Sequence, residues 1–133
     1  MVTTLLAIDT FNRQLATAQA SGPPAQVVRE ETYFRENIAN ITTPEELLAD
    51  FRLYRYVMTA YDLAEAIDSR AIVQRVLEEG SDDAEDLAVR LNDPRFQRLT
   101  DELGFAVAGN LKLLLPNFID QVAAQYQRVA LER

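Results

Sequence analysis

The sequence lacks histidine, cysteine and tryptophan, and its 133 residues include one lysine and only four glycines. Without histidine or cysteine, the chain cannot build a structural zinc site, ligate an iron–sulfur cluster, form a disulfide or use a Cys–His or Ser–His nucleophile. No glycine-rich phosphate-binding loop and no nucleophile elbow is present. We therefore expect a protein that is not an enzyme and that has no cofactor and no metal site.

Positive charge is scarce as well, with 13 Lys and Arg residues against 21 Asp and Glu residues and a formal net charge of −8. A chain of this charge, with no basic run, repels phosphate backbones and anionic lipid, so we expect no nucleic-acid partner. The first twenty residues have no basic start and no apolar run longer than four residues. The sequence therefore predicts no Sec-type signal peptide, no transmembrane segment and no membrane insertion.

Hydrophobic residues make up 48% of the chain, and they recur at three- and four-residue steps in nearly every segment. This spacing predicts an all-α protein, a single compact domain over residues 1–133 with about seven or eight short helices. An N-terminal helix is expected within residues 1–21 and a C-terminal helix within residues 116–133. Residues 51–61 are apolar on most faces and rich in Tyr and Phe, which predicts the central helix of the core.

Several helix ends have a recognisable local signal. The motif Thr-Pro-Glu-Glu at residues 43–46 combines a hydroxyl N-cap, a proline at the first helical position and a glutamate that can reach back. Asp93 repeats the cap-plus-proline pattern, and the helix that follows it is expected to stop at Gly104. Asp82 is predicted to cap another helix. Residues 109–116 fit either a buried linker or a helix kinked by Pro116.

Three groups of residues could carry chemistry, and each has a simpler explanation. Six acidic residues lie within residues 78–86, but their spacing does not fit a calcium loop and favours a solvated helix boundary. Four tyrosines fall in apolar helical runs, at Tyr33, Tyr54, Tyr56 and Tyr61, which favours packing over an aromatic cage. Lys112 interrupts a leucine run, and its long side chain can extend to water.

The two terminal helices carry apolar stripes that approximate a coiled-coil seam. We identify these stripes as a candidate interaction face, formed by Ile8, Phe11, Leu15, Phe118, Val122 and Tyr126. Two interpretations remain open: the stripes form a seam with a partner protein or a second copy of the chain, or both stripes cover the same internal core. The last helix reaches residue 133 without a capping signal, so we expect it to be cut mid-course.

Residues 25–105 also resemble a known family. The resemblance is carried by EETYFRENI at residues 30–38, PEELLADFRLY at 44–54, VLEEG at 76–80 and LNDPRF at 91–96. These motifs resemble a bacterial family catalogued only as a domain of unknown function, whose members lie in flagellar gene clusters and are sometimes labelled flagellar basal-body rod proteins. The motifs are helix caps and core positions, so the resemblance implies a fold and assigns no site residue.

The resemblance implies a non-enzymatic structural or protein-interaction component associated with the bacterial flagellum. Its expected partners are flagellar proteins, and its expected location is the cytoplasm or the flagellum. An alternative is a cytoplasmic adaptor or export chaperone for a flagellar subunit. A third, remote alternative is an enzyme that uses paired carboxylates and a divalent metal ion.

Overall fold

The computed structural model describes residues 24–132 of the protein. Within this range eight α-helices and three 3-10 helices follow one another, and no strand occurs. The α-helices are α1 (Ala25–Asn37), α2 (Pro44–Ala49), α3 (Phe51–Ala60), α4 (Arg70–Glu79), α5 (Leu87–Arg90), α6 (Pro94–Leu103), α7 (Phe105–Ala108) and α8 (Pro116–Glu132). The 3-10 helices are η1 (Ile38–Asn40), η2 (Ala64–Ala66) and η3 (Leu111–Leu114). The predicted all-α fold is confirmed, and the predicted N-terminal helix lies outside the described residues.

Helix α3 is the centre of the core, as its apolar composition predicts. Six of its ten residues are buried, at Leu53, Tyr54, Tyr56, Val57, Met58 and Ala60. Helices α1, α2 and α8 pack against it. A helix enclosed by neighbours in this way has apolar residues on most of its faces, which is the pattern that residues 51–61 show in the sequence.

The predicted N-terminal caps form at α2 and α6. Thr43 Oγ1 accepts a hydrogen bond from the backbone N–H of Glu46 at 3.2 Å, and Asp93 Oδ1 accepts one from the N–H of Arg95 at 3.0 Å. The returning bond at α2 differs from the usual capping box, because Glu46 Oε1 accepts from the N–H of Thr42, one residue before the cap, at 2.7 Å. The turn before α2 is thereby held by Glu46 twice, through its backbone N–H and through its carboxylate.

The predicted cap at Asp82 is wrong. Helix α5 begins only at Leu87, and the turn before it is held by carboxylates that bond backbone groups. Glu79 Oε1 accepts from the N–H of Leu87 at 2.8 Å, and Asp86 Oδ2 accepts from the N–H of Asp83 at 3.0 Å. These bonds fold residues 80–86 into a non-helical turn, because short acidic side chains compete with the helix for backbone donors.

Residues 109–116 form neither of the two arrangements that the sequence left open. The chain turns at Gly109, makes the short helix η3, and starts α8 at Pro116. Proline is favourable at the first position of a helix because its missing N–H has no partner there in any case. Leu113 alone in this stretch of leucines is fully buried.

No helix within residues 24–132 has both the length and the apolar composition needed to cross a lipid bilayer.

Candidate interaction surfaces

The C-terminal stripe of the predicted interaction face lies against the core. Phe118 and Val122 are buried, and Tyr126 is partly buried with its ring stacked on that of Tyr56 at 4.0 Å between centroids. In the described chain these three side chains therefore pack against the internal core. Ile8, Phe11 and Leu15 lie outside the described residues, so their half of the predicted face stays a prediction.

The tyrosines pack in or beside the core, as predicted. Tyr54, Tyr56 and Tyr61 are buried and Tyr33 is partly buried. Three hydroxyl groups donate hydrogen bonds: that of Tyr33 to Asp50 Oδ2 (2.8 Å), that of Tyr54 to the carbonyl of Ile67 (2.7 Å) and that of Tyr61 to Glu102 Oε1 (2.6 Å). Because three of the rings are buried and the guanidinium of Arg52 covers the ring of Tyr33 at 4.0 Å, these four tyrosines form no open aromatic cage.

An open cleft of about 480 Å³ lies between the end of α3, the start of α6 and the end of α8. Its lining contains Ala60, Tyr61, Asp62, Arg95, Arg98, Arg128, Val129 and Glu132. Arg95 forms ion pairs with Asp93 and Glu65, both at 2.8 Å, and Arg98 pairs with Glu102 at 3.1 Å. The hydrogen bonds that the Arg95 guanidinium donates to the Asp93 carboxylate raise the pKa of Arg95 and lower the pKa of Asp93. Carboxylates therefore already balance most of the positive charge beside this cleft.

A second feature lies at the opposite end of α8. Four large aliphatic side chains within residues 107–115 point to solvent, and we call them the apolar segment: Val107 (77% exposed), Leu111 (61%), Leu114 (46%) and Leu115 (52%). Leu111 and Leu114 are three residues apart in a 3-10 helix, so their side chains lie on the same face. Leu113 fills the core from the other side of η3.

Sequence reasoning missed the apolar segment because the leucine run could not be assigned an orientation. A signal was nevertheless present, since residues 103–119 contain no Asp or Glu in a chain that has 21 such residues. Lys112 is the one charged residue in this stretch, and its Nζ donates to the carbonyl of Asp101 at 2.9 Å. The segment therefore contains no acidic residue and a single basic one on a protein of net charge −8.

The acidic residues of the turn after α4 provide no cluster for a metal ion. Within the described part of the chain, no three carboxylates come close enough together to hold one. Glu79 is occupied by an ion pair with Arg75 and by its bond to the N–H of Leu87. Its pKa is lowered by the hydrogen bond from Arg75 and, to a smaller extent, by the N–H of Leu87.

Comparison with known proteins gives a structural relative and a family. No functionally curated protein matches the sequence significantly. The fold is similar to the crystal structure of protein AGR_C_984 from Agrobacterium tumefaciens, with a TM-score of 0.76 and 29% sequence identity. The similarity covers 92% of this chain and 51% of the other, so this chain spans about half the length of that protein. A family model described as a protein of unknown function (DUF1217) matches residues 60–133, more than half of the chain, and the protein belongs to this family.

Proposed function

We propose that the protein is a non-enzymatic structural or protein-interaction component associated with the bacterial flagellum. The observation that carries the proposal is the apolar segment, which exposes four large aliphatic side chains within residues 107–115. It lies inside the part of the chain that matches the family model. The flagellar setting is the one that the family resemblance of residues 25–105 implies.

The energetics of the apolar segment support a role in binding. Complete burial of a valine or leucine side chain is worth about 1.5–3 kcal/mol relative to leaving it in water. The described chain forgoes much of this gain at Val107, Leu111, Leu114 and Leu115, although Leu113 between them is fully buried. Grouped aliphatic exposure of this kind is typical of surfaces that contact another protein.

A second candidate function is a cytoplasmic adaptor or export chaperone that holds a flagellar subunit. It is favoured by the six acidic residues of the turn at residues 78–86, which give the protein a strongly negative face beside its exposed aliphatic residues. A chaperone stays in the cytosol, whereas a structural component travels with the basal body. Cell fractionation followed by immunoblotting therefore distinguishes the two candidates.

The proposal is tested in a flagellated bacterium that carries the gene. We expect its deletion to impair swimming or flagellar assembly, and the wild-type gene to restore both. A gene encoding Leu111→Asp should fail to restore them, because a carboxylate in the apolar segment has to be desolvated on binding.

Leu131→Asp is the matched control for this experiment. Leu131 is 56% exposed and lies about 24 Å from Leu115 along α8. We expect this variant to restore swimming. Normal flagella and normal swimming in the deletion strain would contradict the proposal, as would full restoration by Leu111→Asp at wild-type protein levels.

A further inference from the structure

The acidic turn at residues 78–86 lies directly beside the apolar segment. Gly80 faces α7 so closely that a Cβ added to it would lie 3.0 Å from the Cβ of Ala106. Ser81 Oγ donates a hydrogen bond to the carboxylate of Asp101, whose carbonyl accepts from Lys112 Nζ. The turn is thus joined to both elements of the segment, to α7 through Ala106 and to η3 through Asp101.

The carboxylates of this turn are not all neutralised. Glu79 pairs with Arg75, whereas Asp82 and Glu85 form no ion pair with any residue in the range 24–132. Both are exposed. Six acidic residues and no basic residue lie within residues 78–86, next to a stretch that has no acidic residue from 103 to 119. The result is an aliphatic area with a strongly negative border on one side.

From this arrangement we infer that the apolar segment and the acidic turn together bind an amphipathic helix of a partner protein, one with basic residues flanking its apolar face. This inference rests on the proposed function and names the chemistry of the partner. Protein interfaces typically have an apolar centre and a polar rim. A basic flank on the partner would meet the acidic turn while leucines or similar residues cover Leu111 and Leu114.

The charges favour this occupant over two others. A second copy carries the same net charge of −8 and the same acidic turn, so two copies repel each other. An anionic lipid surface would be repelled by the turn and by the net charge of −8. A helical partner also fits the fold, because no strand edge is available for pairing within residues 24–132.

The inference is tested by titrating the full chain with a fluorescent synthetic peptide. The peptide has about 18 residues and is designed to be helical. Leucines at alternating three- and four-residue steps form one face, and lysines occupy all other positions. The matched peptide has glutamate in place of every lysine. Fluorescence anisotropy should show that the lysine peptide binds at least about tenfold more tightly, with an affinity that falls as salt is added.

Variants of the full chain locate the binding site. Leu111→Asp should weaken binding of the lysine peptide at least about tenfold. The double variant Asp82→Asn with Glu85→Gln should reduce the preference for the lysine peptide by about threefold or more. Leu131→Asp is the aliphatic control, and Asp68→Asn, at an exposed carboxylate just before α4, is the acidic one. Both variants should bind the lysine peptide as the wild type does. Circular dichroism and urea unfolding confirm that each variant is folded.

Three results would overturn the inference. The first is equal binding of the two peptides, or no binding of the lysine peptide. The second is wild-type affinity in folded Leu111→Asp. The third is a dimer in sedimentation experiments that Leu111→Asp dissociates, since the occupant would then be a second copy.

The swimming assay separates this inference from the proposed function. If the lysine peptide fails to bind but Leu111→Asp still abolishes swimming, the inference fails and the proposed function stands. If the peptide binds as expected but the strain with Leu111→Asp swims normally, the proposed function fails instead.

Discussion

At the residue scale, Tyr56 combines a stacked ring with a buried hydroxyl. Its ring is stacked between those of Phe34, at 4.6 Å, and Tyr126, at 4.0 Å. Stacked aromatic pairs contribute about 0.5–1.5 kcal/mol beyond the area that they bury. The hydroxyl of Tyr56, however, is buried and has no hydrogen-bond partner among residues 24–132. The ring therefore stabilises this position while the hydroxyl carries a desolvation cost.

This difference predicts that Tyr56→Phe keeps or raises stability. Removing a buried hydroxyl that has no partner should leave the free energy of unfolding unchanged or increase it by up to about 1 kcal/mol. Tyr54→Phe is the matched control, because the Tyr54 hydroxyl donates to the carbonyl of Ile67 at 2.7 Å. That substitution should cost about 1 kcal/mol. Urea unfolding measures both, and equal losses would show that Tyr56 has a partner as well.

At the scale of the elements, the junction between α6 and α7 depends on Gly104. The residue has a φ of +73° and a ψ of +16°, the left-handed conformation that glycine adopts most easily. A Cβ added there would lie 2.6 Å from Cδ of Lys112, whose side chain crosses this position. Two separate penalties therefore oppose any other residue at this helix end.

We predict that Gly104→Ala lowers the free energy of unfolding by about 1–2 kcal/mol. Part of the loss comes from the positive φ and part from contact with the Lys112 side chain. The double variant with Lys112→Ala removes the contact and keeps the backbone penalty. Urea unfolding of both single variants and the double variant should therefore show less than additive losses. Strict additivity would mean that the lysine side chain moves aside without cost.

The start of α6 is held by the side chain of Asp93. Asp93 accepts the N–H of Arg95 and also pairs with its guanidinium group at 2.8 Å. Asp93→Ala should destabilise the protein by about 1 kcal/mol or more, because the helix loses its cap. Asp93→Asn keeps a capping oxygen and loses the charge, so it should cost less. Thermal unfolding of the two variants checks this order. Equal losses would assign the main effect to the ion pair, which both variants lack.

Helix ends were predicted well wherever one side chain and its own backbone decide the outcome. Thr43 and Asp93 cap their helices and Gly104 ends α6, since each signal acts within a few residues. The predicted cap at Asp82 failed because a more distant residue, Glu79, takes the N–H of Leu87. Local patterns contain no information about such a bond.

Sequence periodicity could not predict which leucines of the apolar segment are exposed, because their orientation also depends on more distant contacts. Leu111, Leu113 and Leu114 have the same side chain, yet only Leu113 is buried. Their orientation is set by how η3 packs against the core, through Leu113 and through the hydrogen bond of Lys112 to Asp101. Both contacts depend on the tertiary arrangement of α6 and η3.

At the scale of the whole molecule, stability near neutral pH should be insensitive to pH. The chain has no histidine and no cysteine, the side chains that most often titrate in this range. On the acidic side, hydrogen bonds lower the pKa values of Glu46, Glu65, Glu79 and Asp93. Their contribution is present above the unfolded pKa of about 4 and is lost as the pH falls further.

The alkaline side differs, because burial raises the pKa values of Tyr54, Tyr56 and Tyr61, and the bond to Glu102 raises that of Tyr61 further. In the unfolded chain these phenols release their protons near pH 10, while the folded protein retains them. The folded state then binds more protons than the unfolded state, so the free energy of unfolding falls as the pH rises above about 10.

Urea unfolding at steps from pH 7 to pH 11 should show a plateau followed by this decline. Tyr61→Phe should make the decline shallower, since one of the retained protons is absent in that variant. Equal stability at pH 8 and pH 11 would mean that the buried phenols ionise in the folded protein without loss of stability. The Tyr61 hydroxyl argues against this outcome, because it lies 2.6 Å from the Glu102 carboxylate and a phenolate there would be repelled.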